Sequence, residues 1–341
     1  MSKTIRWGIM GTGRIAGEFA EGLRHAPGCT LAAVASRRAE TAESFAQRHE
    51  VPSAHSSYEA LVNEPEVDAI YIATPHSMHC ENTLLCLDGS KHVLCEKPFA
   101  VNAAEVETMI HRAREKQCFL MEAMWMRFIP VIQKAIQWVQ DGLIGEVQMV
   151  QADFGFRVPF QAEGRLFNPQ LAGGALLDVG IYPIAFASLF LGNAQEIVSL
   201  PTMGATGVDE QSAYIMKYSS GALFVGSSAI RTHTSQSAWI YGTRGRIHFP
   251  NQFWKSQSFE CHIDGKESQT VSLPYEGNGY QFEAIEVNHC LRSGLVESLI
   301  MPHAQSLALM QTMDGIRGQW GMRYPMAVSY THLTLPTNRE V

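Results

Sequence analysis

The sequence predicts an α/β chain carrying two sheets: a parallel, doubly wound sheet in its N-terminal part, and a large, mainly antiparallel, open-faced sheet in a C-terminal α/β part. Three observations lead there. Up to about residue 123, short apolar runs alternate with helical periods, the rhythm of parallel strands joined by right-handed crossovers. A glycine-rich turn follows the first of those runs. Beyond Gly192, short alternating segments follow one another quickly, separated by turn signals such as Ser220-Gly221 and Asp264-Gly265, as in a meander. The 341 residues favour two domains: residues 1–123, residues 124–325, and a tail of residues 326–341.

Ile5–Met10 reads as a short, mostly apolar strand, and a helical stretch after the turn runs to about Leu23. Between them, Gly11-Thr12-Gly13-Arg14-Ile15-Ala16 is the G-x-G-x-x-A form of the dinucleotide fingerprint of Rossmann domains. Gly11 permits the tight turn, Gly13 lets the backbone approach a pyrophosphate, and Ala16 allows close helix–strand packing. The helix N-terminus adds free N–H groups and a positive dipole end. Glycines also mark ordinary turns; the strand–turn–helix context separates this one from them. Leu31–Ala35 is the second strand. At its end an NAD site carries an acidic residue that accepts from the ribose 2′-hydroxyl. Here Ser36-Arg37-Arg38 stands instead, and the first carboxylate is Glu40. Two guanidiniums suit a 2′-phosphate, so these residues favour NADP over NAD. The plainer reading is a solvated basic turn before the helix Thr41–Arg48.

Tyr58–Val62 is a short helix and Val67–Ala73 an apolar strand, left through Thr74-Pro75-His76-Ser77-Met78-His79. Two histidines three apart can share a helix face and bind a metal. No nearby cysteine or carboxylate cluster completes such a set, and no metal is expected. Thr74, Pro75, His76 and His79 are expected to line the nicotinamide side of the crevice beyond the strand ends; a helix start with capping contacts at His76 accounts for the same residues. His79–Asp88 is helical. The strand Lys91–Cys95 runs into Glu96-Lys97-Pro98. Pro98 fixes its own φ and pushes Lys97 towards an extended backbone, which positions an ammonium at a strand end beside the expected cofactor. The helix Ala103–Lys116 and the strand Phe119–Ala123 complete this part.

The second part starts with the helix Pro130–Gln140. Gly173-Gly174 opens a strongly apolar helix that carries Asp178 and Tyr182. Strands are expected at Glu196–Met203, Ser212–Tyr218, Leu223–Ser228, Ser237–Gly242, Arg246–Phe249, Ser258–Ile263 and Gln269–Leu273. Helices close the chain at Tyr280–Leu291 and His303–Trp320, with Pro302 suited to the first turn of the latter. One face of such a sheet packs on helices. The other needs a cover, and a second copy of the chain would supply it, so a homodimer is expected. Asp178 and Tyr182, four apart, share a helix face if Gly180 and Pro183 do not break the turn. A phenol titrates near about 10, so it acts as a base at neutral pH only beside a cation; Lys97 can be that cation. The competing reading is a buried tyrosine bonded to Asp178, and spacing alone leaves both open.

Net charge is −7 and the basic residues form no long run, so nucleic acid is not an expected partner. The longest apolar run, Ile181–Leu191, falls short of the roughly 18 residues that span a bilayer, and residues 1–10 lack a signal-peptide core. No membrane association is expected. Seven scattered cysteines, odd in number and without a C-x-x-C pair, indicate neither a disulfide framework nor a zinc site. A reduced, cytoplasmic setting fits them.

Gly11-x-Gly13-x-x-Ala16, Glu96-Lys97-Pro98 and Gly173-Gly174…Asp178-x-Gly180-x-Tyr182 occur in that order. Together they resemble the glucose–fructose oxidoreductase / inositol dehydrogenase (Gfo/Idh/MocA) family. Most members of that family carry histidine where this chain has Tyr182. The tyrosine, with Met121–Pro130 and Gly174–Asp178, is similar to the branch of dimeric dihydrodiol dehydrogenases and NADP-dependent D-xylose 1-dehydrogenases. The resemblance covers about residues 3–325. It implies a Rossmann domain, then an α/β domain with an open sheet, and NADP-linked oxidation of a small vicinal diol or a sugar hydroxyl. It implies Lys97 and Tyr182 as the acid–base pair, Asp178 as a substrate or orienting residue, and Trp125, Arg127, Phe154 and Trp254 around the substrate. Each of those aromatics is equally at home in an ordinary core. It also raises a cis Lys97-Pro98 bond. The alternatives are a cyclitol or other sugar dehydrogenase, and an NADP-bound sensor without turnover; the intact Lys97, Asp178 and Tyr182 argue against the sensor. Similar chains stop near Tyr324-Pro325, and Met326–Val341 has no sustained period, so it is expected to be a disordered or artefactual tail.

Overall fold

The computed structural model describes residues 4–326; apart from Met326, the expectation about the tail lies outside the described residues. Six strands form the first sheet: β1 (Ile5–Met10), β2 (Cys29–Ala35), β3 (Ser53–His55), β4 (Ala69–Ile72), β5 (His92–Glu96) and β6 (Leu120–Ala123). Their order is β3-β2-β1-β4-β5-β6, and every pairing is parallel. The crossovers run through α1 (Arg14–Leu23), α2 (Ala39–His49), α3 (Tyr58–Val62), α4 (His79–Asp88) and α5 (Ala103–Lys116). β4 is buried along its whole length, as a parallel strand covered on both faces should be. β3 was not foreseen: it has three residues, Ser-Ala-His, at the sheet edge, too short and polar to announce a strand. Strand order reverses between β1 and β4, and there the strand ends open a crevice.

After α6 (Pro130–Gln140) a second sheet uses β7 (Val147–Gly155), β8 (Ala194–Met203), β9 (Asp209–Tyr218), β10 (Leu223–Ala229), β11 (Ala238–Gly242), β12 (Gly245–Phe249), β13 (Ser258–Ile263) and β14 (Gln269–Ser272). Its order is β14-β13-β12-β11-β7-β10-β9-β8. It is antiparallel except for one pair: β7 lies between β10 and β11 and runs parallel to β10. α7 (Ile181–Leu191), α8 (Gln281–Arg292) and α9 (His303–Trp320) follow the expected spans closely.

Side chains alternate across this sheet. Ser212, Tyr214, Met216 and Tyr218 of β9 point into the core, while Ala213, Ile215 and Lys217 point out. The outer face carries apolar residues in the open: Val198 is 68 % exposed, Leu200 76 % and Ile215 50 %. One sequence expectation is corrected here. Residues 169–191, helical apart from a break at residues 172–174, are long and apolar enough by composition to cross a membrane, but 78 % of the most apolar stretch is buried inside the protein. The helix is apolar all round because the sheet and neighbouring helices enclose it.

Candidate active site

A cleft of about 1180 Å³ opens at the strand ends where the first sheet meets the second part of the chain. It begins at the glycine turn. Gly11 has φ +106°, and a Cβ there would lie 2.8 Å from the Ala73 carbonyl oxygen, so only glycine lets β1 and β4 close at this point. A Cβ at Gly13 would meet nothing within 4 Å. Gly13 is the N-cap of α1, makes no side-chain capping bond, and no acidic residue follows in the first turn. The arrangement leaves room and unopposed N–H groups for a pyrophosphate. Ser36, Arg37 and Arg38 line the same cleft further along.

The Glu96-Lys97-Pro98-Phe99 turn leaves β5 with a cis Lys97-Pro98 bond. Three buried groups hold it. Glu96 accepts from the Lys97 backbone N–H at 3.1 Å, Glu122 from the Phe99 N–H at 3.0 Å, and the His79 ring faces the Pro98 carbonyl at 2.7 Å. The other His79 nitrogen lies 2.9 Å from the Thr74 carbonyl. Burial pushes this histidine down to about 4, so at neutral pH the ring donates to one carbonyl at a time. His79 thereby braces the lysine turn against the loop leaving β4. Tyr71 adds a bond to Glu96 from the middle of β4.

The second part supplies the opposite wall. Gly174, with φ +119°, sits where a Cβ would come within 2.3 Å of Asp209. Asp209, fully buried, accepts from the Leu176 N–H at 2.7 Å and anchors the start of the helix. Leu176–Gly180 then form a π-helical turn before α7, not the regular α-helix that the four-residue spacing presumed. Such wide turns recur at functional sites. Here the turn presents the Asp178 carbonyl to Lys97, whose Nζ donates to it at 2.8 Å. The same ammonium lies over the Tyr182 ring, 5.0 Å from its centroid. Tyr182 does not bond to Asp178. Its hydroxyl accepts from the indole N–H of Trp125 at 2.8 Å, which leaves its own proton free to donate into the cleft.

The electrostatics divide the two groups sharply. Burial pushes the Tyr182 phenol well above its usual range, Glu96 adds to the effect, and the Trp125 N–H only partly opposes it. The resting phenol is neutral, because loss of water outweighs a cation placed over the ring face and not at the oxygen. Asp178 goes the other way. Burial alone would raise it, but Arg165, Lys97 and His76 outweigh burial and hold the carboxyl well below the usual carboxylate range. Arg165 is its nearest partner, at 2.5 Å. His76 lies 3.9 Å from the same oxygen, and burial pushes it down to about 3, neutral at ordinary pH.

Phe154 and Trp254 stack at 3.6 Å between centroids, and Tyr182 leans on both, at 5.4 and 6.1 Å. Trp125 stacks on Tyr280 at 4.7 Å. The cleft thus gathers every residue expected from the sequence, from Gly11 to Trp254, except Arg127. Arg127 is buried outside the cleft, where its Nε donates to the Ile300 carbonyl at 3.1 Å. An apolar run with one arginine, Met124–Phe128, does not show which way that arginine turns. Among the lining residues that the sequence did not single out are Arg165 and Tyr280. Arg165 sits in a loop without periodicity. Tyr280 read only as a helix start. Among the described residues no group of three or more His, Cys, Asp or Glu side chains is placed to hold a metal.

Two family models match the chain: "Oxidoreductase family, NAD-binding Rossmann fold" over residues 5–124 and "GFO/IDH/MocA C-terminal domain" over residues 132–248. Trans-1,2-dihydrobenzene-1,2-diol dehydrogenases from Xenopus tropicalis and Homo sapiens are 37 % and 34 % identical to it over 335 and 333 residues, covering 94 % of this chain and 99 % and 98 % of theirs. The chain belongs to the GFO/IDH/MocA oxidoreductase family. A 3-ketoreductase of known structure from Actinomadura kijaniata, in complex with NADP and TDP-benzene, superposes with a TM-score of 0.82 at 25 % identity, covering 93 % of this chain and 98 % of that one. An aldose-aldose oxidoreductase from Caulobacter crescentus reaches 0.85 at 23 % identity, over 94 % and 98 %, and shows a shared fold. Both parts of this GFO/IDH/MocA chain contribute to its cleft: the first through Gly13 and Lys97, the second through Trp125, Asp178, Tyr182 and Trp254.

Proposed function

We propose that the chain is an NADP-dependent dehydrogenase that moves hydride between nicotinamide and a hydroxyl of a vicinal diol or aldose, with trans-dihydrodiols preferred to sugars. One observation carries this reading: Lys97, ionised Asp178 and a neutral Tyr182 phenol meet in a single cleft beside the stacked Phe154–Trp254 wall. A flat cyclic diol fits such a wall over its whole face, whereas a pyranose offers it a smaller apolar patch. The dihydrodiol dehydrogenases similar to this chain over nearly its full length favour the same order. Residues 1–123 form the cofactor half in this reading, and residues 124–325 the substrate half.

The open space at Gly13, the uncapped start of α1 and the two guanidiniums of Arg37 and Arg38 support NADP as the cofactor. A bound nicotinamide supplies the carbon that takes or returns hydride. In the reducing direction the Tyr182 hydroxyl gives its proton to the substrate carbonyl oxygen as hydride reaches the carbonyl carbon. Lys97 then faces the phenolate left behind and steadies the substrate oxygen. In the oxidising direction the phenolate takes the hydroxyl proton back. Asp178, ionised by Arg165, accepts a hydrogen bond from the neighbouring hydroxyl and so sets the diol's orientation.

The bare face of the second sheet, with Val198, Leu200 and Ile215, supports a homodimer that covers it. All seven cysteines are unpaired, which supports a reducing, cytoplasmic setting. NADP reduction measured against an aromatic trans-dihydrodiol, D-xylose, D-glucose and myo-inositol tests the reading. The dihydrodiol should give the highest kcat/KM. Tight NADPH binding with no turnover on any of the four would reject it in favour of a sensor.

A further inference from the structure

The π-helical turn that carries Asp178 has no cap of its own. Gly173, Gly174 and Ala175 precede it and offer no polar side chain, and Ala175 makes no side-chain capping bond. The first N–H groups of a helix have no partner inside it. Here the partner is Asp209, the first residue of β9, 33 residues beyond Leu176, whose N–H it accepts at 2.7 Å. Gly174 makes room for that carboxylate, since a Cβ there would lie 2.3 Å from one of its oxygens. Tyr324 donates to the Gly173 carbonyl at 2.5 Å and fixes the approach to the turn. The far end is met by the same strand and its neighbour. The Tyr214 hydroxyl of β9 donates to the Gly180 carbonyl at 3.4 Å, a long bond. A Cβ at Gly180 would lie 3.0 Å from the Ser228 hydroxyl of β10. Asp209, Tyr214 and Ser228 are buried and stand behind the cleft wall, not in it.

We propose that Asp209 is a positioning residue: through the Leu176 N–H it sets the π-helical turn, and the turn aims Asp178 at Lys97 and at the substrate. Tyr214 steadies the other end. This rests on the dehydrogenase reading given above. Asp178 has two contacts to keep. Its carbonyl receives the Lys97 ammonium at 2.8 Å, and its carboxylate is held by Arg165 at 2.5 Å. Both groups leave the backbone two residues after Leu176. A π-helical turn is rare and persists where its surroundings hold it. Without a partner for the Leu176 N–H, the turn relaxes towards a regular α-helix and carries Asp178 out of register. A displacement of about 1 Å beside a reacting group costs up to about a hundredfold in rate. What the turn needs from Asp209 is an acceptor oxygen in the right place, which asparagine also has.

The experiment measures kcat and KM in wild type, Asp209→Asn, Asp209→Ala and Tyr214→Phe, on whichever of the four substrates named above wild type oxidises best. Rates are expressed per NADPH-binding site, counted by fluorescence titration. Counting sites separates aim from folding: an unfolded chain loses its site, whereas a misaimed turn keeps the site and loses rate. Asp209→Asn keeps the acceptor and should stay within about threefold of wild type. Asp209→Ala should lower kcat per site by about tenfold to a hundredfold, with NADPH affinity unchanged because the cofactor half is untouched. Tyr214→Phe keeps the ring and should lower kcat per site by about threefold, the size of one weak hydrogen bond. If Asp209→Ala yields no NADPH-binding sites, Tyr214→Phe decides. Wild-type kcat per site in the deciding variant would overturn the positioning role, and so would equal losses in Asp209→Asn and Asp209→Ala. A wild type that binds NADPH but turns over none of the four substrates would overturn the dehydrogenase reading, and the Asp209 proposal with it.

Discussion

The ammonium of Lys97 donates to the main-chain carbonyl of Asp178 at 2.8 Å. That bond joins the end of β5 to the π-helical turn ahead of α7, so the two halves of the cleft meet at the proposed chemical centre. A backbone carbonyl does not titrate, so this hydrogen bond is available to the lysine at every pH.

Replacing either partner of the proposed proton-transfer pair should spare the cofactor. Tyr182→Phe should lower kcat by ~10²–10⁴-fold, the usual worth of a positioned proton donor, with NADPH affinity unchanged by fluorescence titration. Lys97→Met should lower kcat by a similar factor. A Tyr182→Phe enzyme at more than half of wild-type kcat would remove the tyrosine from the mechanism.

Because burial raises the Tyr182 phenol well above its usual range, the two directions should differ in pH dependence. Oxidation needs the phenolate, whose fraction grows tenfold per pH unit below the pKa, so diol oxidation should climb steadily from neutral to alkaline pH. Carbonyl reduction needs the phenol and should not climb. Trp125→Phe removes the indole N–H that stabilises the phenolate and should move the oxidation profile further to the alkaline side. Parallel profiles for the two directions would contradict the assignment.

Glu283 in the first turn of α8 is fully buried, and neither of its carboxylate oxygens has a hydrogen-bond partner. Burial first, then Glu96, pushes its carboxyl well above the usual carboxylate range. A raised folded pKa means that its stabilising share is complete below the unfolded pKa. That share is lost as pH rises through the folded pKa. Glu283→Gln cannot ionise. Relative to wild type it should therefore gain stability as pH rises above about 4.5, with a slope approaching ~1.4 kcal/mol per unit. Urea denaturation of both proteins at pH 5 and pH 8 measures the difference; a constant offset would mean that Glu283 is already ionised.

If the outer face of the second sheet is covered by another copy, a charge placed in its centre should expose it. Leu200→Glu or Ile215→Lys should shift sedimentation from dimer to monomer without lowering the Tm of the isolated chain, since both side chains point away from the core. A wild-type chain that sediments as a monomer would rule the dimer out.

Much of this was readable residue by residue. The strand–turn–helix around Gly11 and Gly13, the Lys97 turn and seven strands of the second sheet are local patterns, and their spans hold to within about three residues. β3 escaped because three polar residues at a sheet edge carry no period. The parallel insertion of β7 beside β10 escaped because its partners lie about seventy residues away, and pairing over that distance leaves no trace in either strand. Arg165 and Tyr280 escaped for the same reason.

The sequence by itself determined the chemistry available: a glycine turn open to a pyrophosphate, guanidiniums where an acid would select NAD, and a lysine, an aspartate and a tyrosine in order along the chain. Only the tertiary structure decided what each group is. Burial beside Glu96 makes Tyr182 a neutral acid, Arg165 keeps Asp178 ionised, and packing turns Arg127 away from the cleft. Protonation and direction depend on water excluded and charges gathered from distant parts of the chain, and neither quantity is written in any local stretch of residues.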